Sequence, residues 1–121
     1  MSLQRAQRLI KMNEFDLIQS YFNWEITDPS IELGVGDDAA LFNLNPGHQL
    51  VTSTDTLVEG IHFFKDASPS DIAYKSLAVN LSDIAAMGAI AKCFTLSLTL
   101  PKLDKKWLEQ FSSSLKESSK L

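Results

Sequence analysis

The sequence has one cysteine, no long apolar run and no excess of positive charge. Cys93 cannot form an internal disulfide, and because the sequence places no activating group beside it, we expect a small buried side chain and not a nucleophile. No stretch of about 18 apolar residues and no signal-peptide pattern occurs, which predicts a cytoplasmic protein that does not enter the membrane. With 11 basic and 15 acidic residues, the formal net charge of −4 leaves no broad basic face for nucleic acid.

The chain also lacks the glycine-rich loops that bind phosphate in large nucleotide-binding families. Neither Gly-x-x-x-x-Gly-Lys-Ser/Thr nor the glycine loop of protein kinases occurs, and the short Gly34-x-Gly36 pattern is weak by itself. If this protein transfers phosphoryl groups, bound metal ions must therefore hold the phosphates in place of a glycine loop and its lysine.

Acidic and hydroxyl side chains are concentrated in three short clusters, at residues 34–38, 53–56 and 80–83. Carboxylates at contact distance repel each other by roughly 4 kcal/mol per pair at an effective dielectric constant near 20, so a fold that gathers several of them normally binds a cation. Oxygen ligands favour magnesium over zinc or copper. Together the three clusters predict a magnesium site that handles phosphate groups.

Mixed helix and strand patterns and the chain length predict one globular domain with a single core. We expect one helix capped by Asn13, one from Ser68 to Met87 that stops at Gly88, and one that begins after Asp104. The middle helix should be largely buried, and the aromatic residues of the outer helices should join the core. Three strands, the first two of them forming a hairpin, are predicted at residues 39–44, 49–55 and 92–100.

These elements give the acidic residues definite positions. Asp37 and Asp38 come just before the first predicted strand, and Asp55 ends the second. Asp83 lies three residues after Asn80 on one face of the middle helix. A buried aspartate is costly without hydrogen bonds or a cation, which favours a functional Asp83.

A structural explanation stays open for each of these features. Asp37 and Asp38 could form a turn with local hydrogen bonds, and residues 53–56 could be a strand end followed by a cap. Asp83 could be a core acid bonded to backbone amides. His62, beside apolar residues, is either a substrate contact or a structurally satisfied side chain.

Three motifs in the chain resemble a known family. They are GVGDDAAL from Gly34, STDTLVEGIHF from Ser53 and AYKSLAVNLSDIAAMGA from Ala73. With their surroundings, from about Glu14 to the helix after Pro101, they resemble the thiamine-monophosphate kinases of the aminoimidazole-ribonucleotide-synthetase-like superfamily. The resemblance implies that superfamily's N-terminal α+β domain, a mixed sheet flanked by helices, and a homodimer in which the sheets of two subunits pair.

The resemblance also implies a reaction and a set of site residues. The γ-phosphoryl group of ATP would be transferred to the phosphate of thiamine monophosphate, with help from magnesium ions, giving thiamine diphosphate and ADP. His62 would contact the thiamine phosphate and Asn80 would orient Asp83, while Asp37 ranks below Asp38 because adjacent residues of an extended segment point to opposite sides. The magnesium ligands at the matching positions would be Asp38, Ser53, Thr54, Asp55 and Asp83.

One departure from the family limits these expectations. The family's Gly-Gly-Asp-Thr motif and C-terminal domain do not occur here, so we expect residues 13–121 to be the metal- and substrate-binding domain of a longer enzyme and to be inactive alone. Residues 1–12 would be an N-terminal extension or expression remnant. Two alternatives stay open: a noncatalytic dimerisation module, or a superfamily relative with another substrate. A selenophosphate synthetase usually carries a reactive cysteine near its N-terminus, unlike Cys93.

Overall fold

The computed structural model describes residues 12–120 and has three helices and one small sheet among them. This combination confirms the predicted α+β class. The chain divides into two compact units, Met1–Asn43 and Leu44–Leu121. The predicted extension at residues 1–12 lies outside the described residues except for its last position. In chain order the elements are α1 (Glu14–Tyr21), β1 (Ile31–Leu33), β2 (Leu41–Phe42), α2 (Pro69–Ala86) and α3 (Lys105–Ser118).

Helix α1 of the first unit begins with a capping box. The Asn13 side chain accepts a hydrogen bond from the Asp16 amide at 2.9 Å, and the Asp16 carboxylate accepts one from the Asn13 amide at 3.2 Å. The predicted cap is therefore confirmed. The predicted contribution of this helix to the core is wrong, because it has no buried residue and Phe15 is 80% exposed.

The sheet of the first unit pairs β1 with β2 in antiparallel orientation, with an irregularity in the register between Ile31 and Leu33. Only the centre of the predicted strand at residues 39–44 forms, and its partner is β1, so the predicted hairpin with residues 49–55 is wrong. The connection from β1 to β2, residues 34–40, is short, but so is the connection to residues 49–55, and loop-closure entropy does not decide between the two partners. The side-chain NH2 group of Asn43 donates a hydrogen bond of 2.8 Å to the Glu32 carboxylate, which supports the pairing of β1 with β2.

The predicted strands at residues 49–55 and 92–100 do not form in the described chain. A strand needs a neighbour to accept and donate its backbone hydrogen bonds, and the sheet within residues 12–120 contains β1 and β2 alone. Cys93 is exposed, so the expectation of a buried thiol is also wrong, because no sheet covers this segment in the described chain.

Helix α2 of the second unit has the boundaries that its sequence predicts. Ser68 is the N-cap, and its hydroxyl oxygen accepts a hydrogen bond from the Asp71 amide at 3.0 Å. Pro69 occupies the first helical position, where the missing N–H costs nothing. At the other end Gly88 has φ of +66°, a left-handed conformation that ends the helix.

The core of the second unit lies between α2 and α3. Its buried apolar side chains are Ala73, Leu77, Leu108, Phe111 and Leu115. The Trp107 ring stacks on the Phe111 ring with centroids 4.8 Å apart, and the Ser114 hydroxyl donates to the Ser70 hydroxyl at 2.8 Å. Helix α2 contributes only two of the buried residues, so the prediction of a largely buried helix is wrong.

No helix in the described part of the chain has the length and apolar character needed to cross a membrane.

Replacing Ser68 with alanine should lower the free energy of unfolding by about 1 kcal/mol, because the Asp71 amide loses its acceptor. Urea unfolding followed by circular dichroism measures this change. The matched control is Ser113→Ala, on the exposed side of α3, which should change stability by less than about 0.5 kcal/mol. Equal losses in the two variants would contradict the capping role of Ser68.

Candidate functional site

Two of the predicted metal ligands meet in the second unit. The Ser53 hydroxyl donates a hydrogen bond to Oδ2 of Asp83 at 3.3 Å, although the two residues are 30 positions apart in the sequence. Ser53 belongs to a segment without regular secondary structure, whereas Asp83 lies in the last turn of α2. Asp83 is exposed. The expectation of a buried Asp83 is therefore wrong, and burial gives no argument that this aspartate is functional.

The position of Asp83 on α2 favours a cation electrostatically. The last turn of a helix carries partial negative charge from its unpaired carbonyl groups, and α2 has no basic residue in that turn. An aspartate at this end adds a full negative charge to the helix dipole. The carboxylate and the end of the helix are both negative and therefore attract a metal ion. A basic side chain at this position would instead stabilise the helix.

The oxygen atoms of Ser53 and Asp83 also have a spacing that suits magnesium. Neighbouring ligands of an octahedral magnesium ion, each about 2.1 Å from the metal, lie about 3 Å from each other. The observed separation of 3.3 Å is slightly wider than this edge. The donor atoms are oxygens, as a hard cation requires. The spacing of these two oxygens is therefore compatible with one edge of the coordination shell of the predicted ion.

The other predicted ligands of the second unit follow Ser53 directly. Thr54 and Asp55 are exposed, and neither side chain is hydrogen-bonded to Asp83 within the described residues. Across residues 12–120, no group of three or more His, Cys, Asp or Glu side chains lies close enough to hold a metal. Within the second unit the structure thus joins Ser53 to Asp83, whereas the Asp55 side chain makes no hydrogen bond to that pair in the described chain.

Asp37 and Asp38 belong to the first unit, in the connection between β1 and β2. The Asp38 amide donates to the Asp37 carboxylate at 2.8 Å, so Asp37 forms the local hydrogen bond expected of a turn residue. Gly36 before them has φ of +116°, which a residue with a side chain rarely adopts. Asp38 is exposed, and its carboxylate accepts no hydrogen bond in the described chain.

Asn80 lies one turn before Asp83 on α2. Its side-chain NH2 group donates to the Ser76 carbonyl at 2.9 Å, and no hydrogen bond connects it to Asp83 in the described residues. Its side-chain oxygen is buried and accepts no hydrogen bond within that part of the chain. A buried acceptor of this kind normally has a donor.

His62 lies in a closed loop and is exposed. The Val58 amide donates to Nδ1 of its imidazole at 2.9 Å. The ammonium group of Lys75, on α2, donates to the backbone carbonyl of His62. These contacts hold the histidine through both its ring and its backbone, and the residue is nevertheless exposed.

Comparison with known proteins shows which family the chain belongs to. Residues 36–120 match the model of the family described as AIR synthase related protein, N-terminal domain. The matched range is more than half of the chain, and it includes each candidate site residue from Asp37 to Asp83. The chain belongs to this AIR synthase related family. The predicted resemblance is thereby confirmed at the level of the superfamily.

Members of curated collections that resemble this AIR synthase related domain carry the name thiamine-monophosphate kinase. The protein of Escherichia coli is 55% identical over 103 residues, which cover 84% of this chain and 32% of the relative. That of Haemophilus influenzae is 51% identical over 105 residues, 86% of this chain and 32% of the relative. That of Bacillus subtilis is 50% identical over 99 residues, 81% of this chain and 30% of the relative. The chain spans about a third of the length of these curated relatives.

The contact of Lys75 with His62 was not predicted from the sequence of this AIR synthase related domain. Lys75 lies in the third motif, AYKSLAVNLSDIAAMGA, seven residues into an 18-residue helix, where a lysine ordinarily reads as a solvated surface side chain. Its contact with His62 joins residues 13 positions apart. Only the fold of the loop onto α2 reveals that contact, because helical periodicity describes neighbours within one element.

Proposed function

We propose that this chain is the N-terminal part of a thiamine-monophosphate kinase. The observation that carries the proposal is the identity of 50–55% to relatives of that name, over 81–86% of this chain. In the proposed reaction, a phosphate oxygen of thiamine monophosphate forms a bond to the γ-phosphorus of ATP. The bond from that phosphorus to the oxygen bridging it to the β-phosphate breaks, which leaves thiamine diphosphate and ADP.

The oxygen-rich residues of the chain would hold magnesium for this reaction. The proposed ligands are Asp38, Ser53, Thr54, Asp55 and Asp83. Bound magnesium would neutralise charge on the donor and acceptor phosphates and help to align them. The contact of 3.3 Å between Ser53 and Asp83 supports the proposal, because it orients one carboxylate oxygen before any ligand is present.

His62 would bind the phosphate of thiamine monophosphate through its side chain. With Nδ1 occupied by the Val58 amide, the remaining nitrogen is a hydrogen-bond donor, and phosphate oxygens are acceptors. The chemistry of the exposed ring edge thus suits an anionic substrate. Asp37, whose carboxylate already accepts a hydrogen bond from the Asp38 amide, would shape the turn that carries Asp38.

The activity test uses the full-length protein with thiamine monophosphate, ATP and magnesium, and follows thiamine diphosphate and ADP by chromatography. We expect equal amounts of the two products and no turnover without magnesium. The 121-residue chain alone is expected to be inactive, because it corresponds to about a third of the related enzymes. If other nucleotide-dependent substrates of the superfamily were preferred in competition with thiamine monophosphate, the specific assignment would be wrong.

We further propose that the enzyme is a cytoplasmic homodimer that uses residues 92–100 in its interface. Among the described residues of a 45% hydrophobic chain, five apolar side chains are buried. In the alternating segment Phe94 and Leu96 are 39% and 38% exposed. Pairing with a second subunit would add a neighbouring strand to this segment and would cover its apolar side.

Leu96→Glu should therefore weaken dimerisation of the full-length protein at least about tenfold, since the new charge would be buried between subunits. Sedimentation velocity over a concentration series measures the dissociation constant. Thr95→Glu is the matched control, because adjacent residues of a strand point to opposite faces and the control charge would avoid the apolar side. A wild-type protein that sediments as a monomer would overturn the dimer proposal. A dimer that binds neither magnesium nor ATP would instead favour the noncatalytic module.

A further inference from the structure

The loop of residues 58–63 is closed by its own backbone hydrogen bonds. The Gly60 amide donates to the Phe63 carbonyl at 2.8 Å, and the His62 amide donates to the Val58 carbonyl at 2.8 Å. Gly60 has φ of +79°, a left-handed conformation that lets the chain reverse within a few residues. This reversal brings the Val58 amide to the imidazole of His62.

The Val58 contact determines which imidazole nitrogen carries the proton. A backbone amide only donates, so Nδ1 of His62, at 2.9 Å, is the acceptor and has no hydrogen. In a neutral imidazole the hydrogen then resides on Nε2. No group within the described residues accepts a hydrogen bond from Nε2, and His62 is exposed. The loop thus prepares a single N–H donor for a ligand.

Lys75 ties this loop to helix α2. Its ammonium group donates to the His62 carbonyl, and a charge-assisted hydrogen bond is roughly twice as strong as a neutral one. The helix is itself anchored close to this lysine, because Ala73 and Leu77 are buried in the core. The carbonyl of His62 is consequently fixed to a packed element, although the loop has no buried residue of its own.

We propose that Lys75 is a positioning residue that holds the His62 loop so that Nε2–H is directed to the phosphate of the substrate. The identity of that substrate rests on the proposed function, whereas the tautomer and the loop geometry do not. Lys75 acts through the backbone of His62 and makes no chemical step itself. Its removal should therefore loosen the loop, mix the two tautomers and weaken substrate binding more than it slows phosphoryl transfer.

The first test is NMR of the full-length protein with isotope-labelled histidine at mildly alkaline pH. The sequence contains two histidines, so His48→Gln assigns the His62 signals. We expect the Nε2–H tautomer in the wild type, and a mixture in Lys75→Met with Val58 amide exchange at least about tenfold faster. Lys75→Arg keeps a cationic donor and should retain most of the wild-type behaviour. Unchanged tautomer and exchange in Lys75→Met would overturn the proposal, whatever reaction the protein catalyses.

The second test is steady-state kinetics with thiamine monophosphate. Lys75→Met should raise KM about tenfold, equivalent to about 1.4 kcal/mol, and change kcat less than about threefold. In a His62→Ala background, Lys75→Met should raise KM by less than about a further twofold, because the effect of Lys75 on substrate binding depends on His62. Lys106→Met, an exposed lysine of α3, is the matched control and should change neither constant.

The two tests separate the failure of this inference from failure of the proposed function. A full tenfold effect of Lys75→Met in the His62→Ala background, or a loss confined to kcat, would contradict positioning through His62. A protein that does not phosphorylate thiamine monophosphate at all, but shows the NMR changes, would refute the substrate and retain the positioning role.

Discussion

Asp83→Asn should lower kcat for thiamine monophosphate phosphorylation by about 100-fold or more in the full-length protein. The substitution keeps the shape of the side chain and an oxygen that accepts from Ser53, but it removes the negative charge. That charge lies in the last turn of α2, where the helix dipole is also negative and no basic residue is present. The loss should thus fall on cation binding and not on the fold.

Calorimetric titration with magnesium, beside steady-state rates over a range of magnesium concentrations, measures this effect. We expect weaker magnesium binding and partial recovery of the rate at high magnesium. Circular dichroism should show the same helix content as the wild type. Asp71→Asn is the control, since it makes the same change in the exposed first turn of the same helix and should alter the rate less than about threefold.

Two results would contradict this prediction. If Asp83→Asn bound magnesium as tightly as the wild type, Asp83 would not be a ligand, and its contact with Ser53 would be a structural hydrogen bond. If Asp71→Asn reduced the rate as strongly as Asp83→Asn, the effect would come from the general charge of α2 and not from the site.

Phe111→Ala should lower the free energy of unfolding of the second unit by about 3–5 kcal/mol. Phe111 is 1% exposed and stacks against Trp107, so the substitution removes a large buried side chain and one aromatic contact. The described core of this unit contains four other apolar residues, Ala73, Leu77, Leu108 and Leu115, and so few neighbours cannot refill the space. A loss of this size is a large fraction of the stability of an ordinary domain.

Urea unfolding of the protein, followed by circular dichroism and tryptophan fluorescence, tests the prediction. Phe64→Ala is the matched control, because the same side chain is removed from a position that is 82% exposed. That control should change the free energy of unfolding by less than about 0.5 kcal/mol. A loss below about 1 kcal/mol for Phe111→Ala would mean that packing between α2 and α3 does not stabilise the unit.

Helix boundaries and caps were predictable because they depend on residues close together in the chain. The Ser68-Pro69 start of α2 and the Asp104 cap of α3 are each local: the Asp104 carboxylate accepts from the Trp107 amide at 3.1 Å. The strand predictions failed for the opposite reason. Residues 49–55 and 92–100 have the alternation of strands, but alternation does not supply the neighbouring backbone that a sheet requires.

Burial was predicted less well than the helix boundaries. Asp83 and Cys93 were both expected inside the protein, yet both are exposed. Apolar neighbours in the sequence led to this expectation, whereas actual burial depends on which elements pack together. Phe111 and Phe15 show the same limit, since each lies on an apolar helical face, yet Phe111 is 1% exposed and Phe15 is 80% exposed.

The sequence by itself determined the family of this protein, through its three motifs, and it predicts a hard cation and phosphate from their oxygen-rich side chains. It also determined the three described helices, whose caps and periodicity are local. The tertiary structure alone decided that Ser53 meets Asp83, and that Lys75 holds the His62 loop. These contacts join residues 30 and 13 positions apart, and such distances are closed only when a whole loop folds against a packed helix.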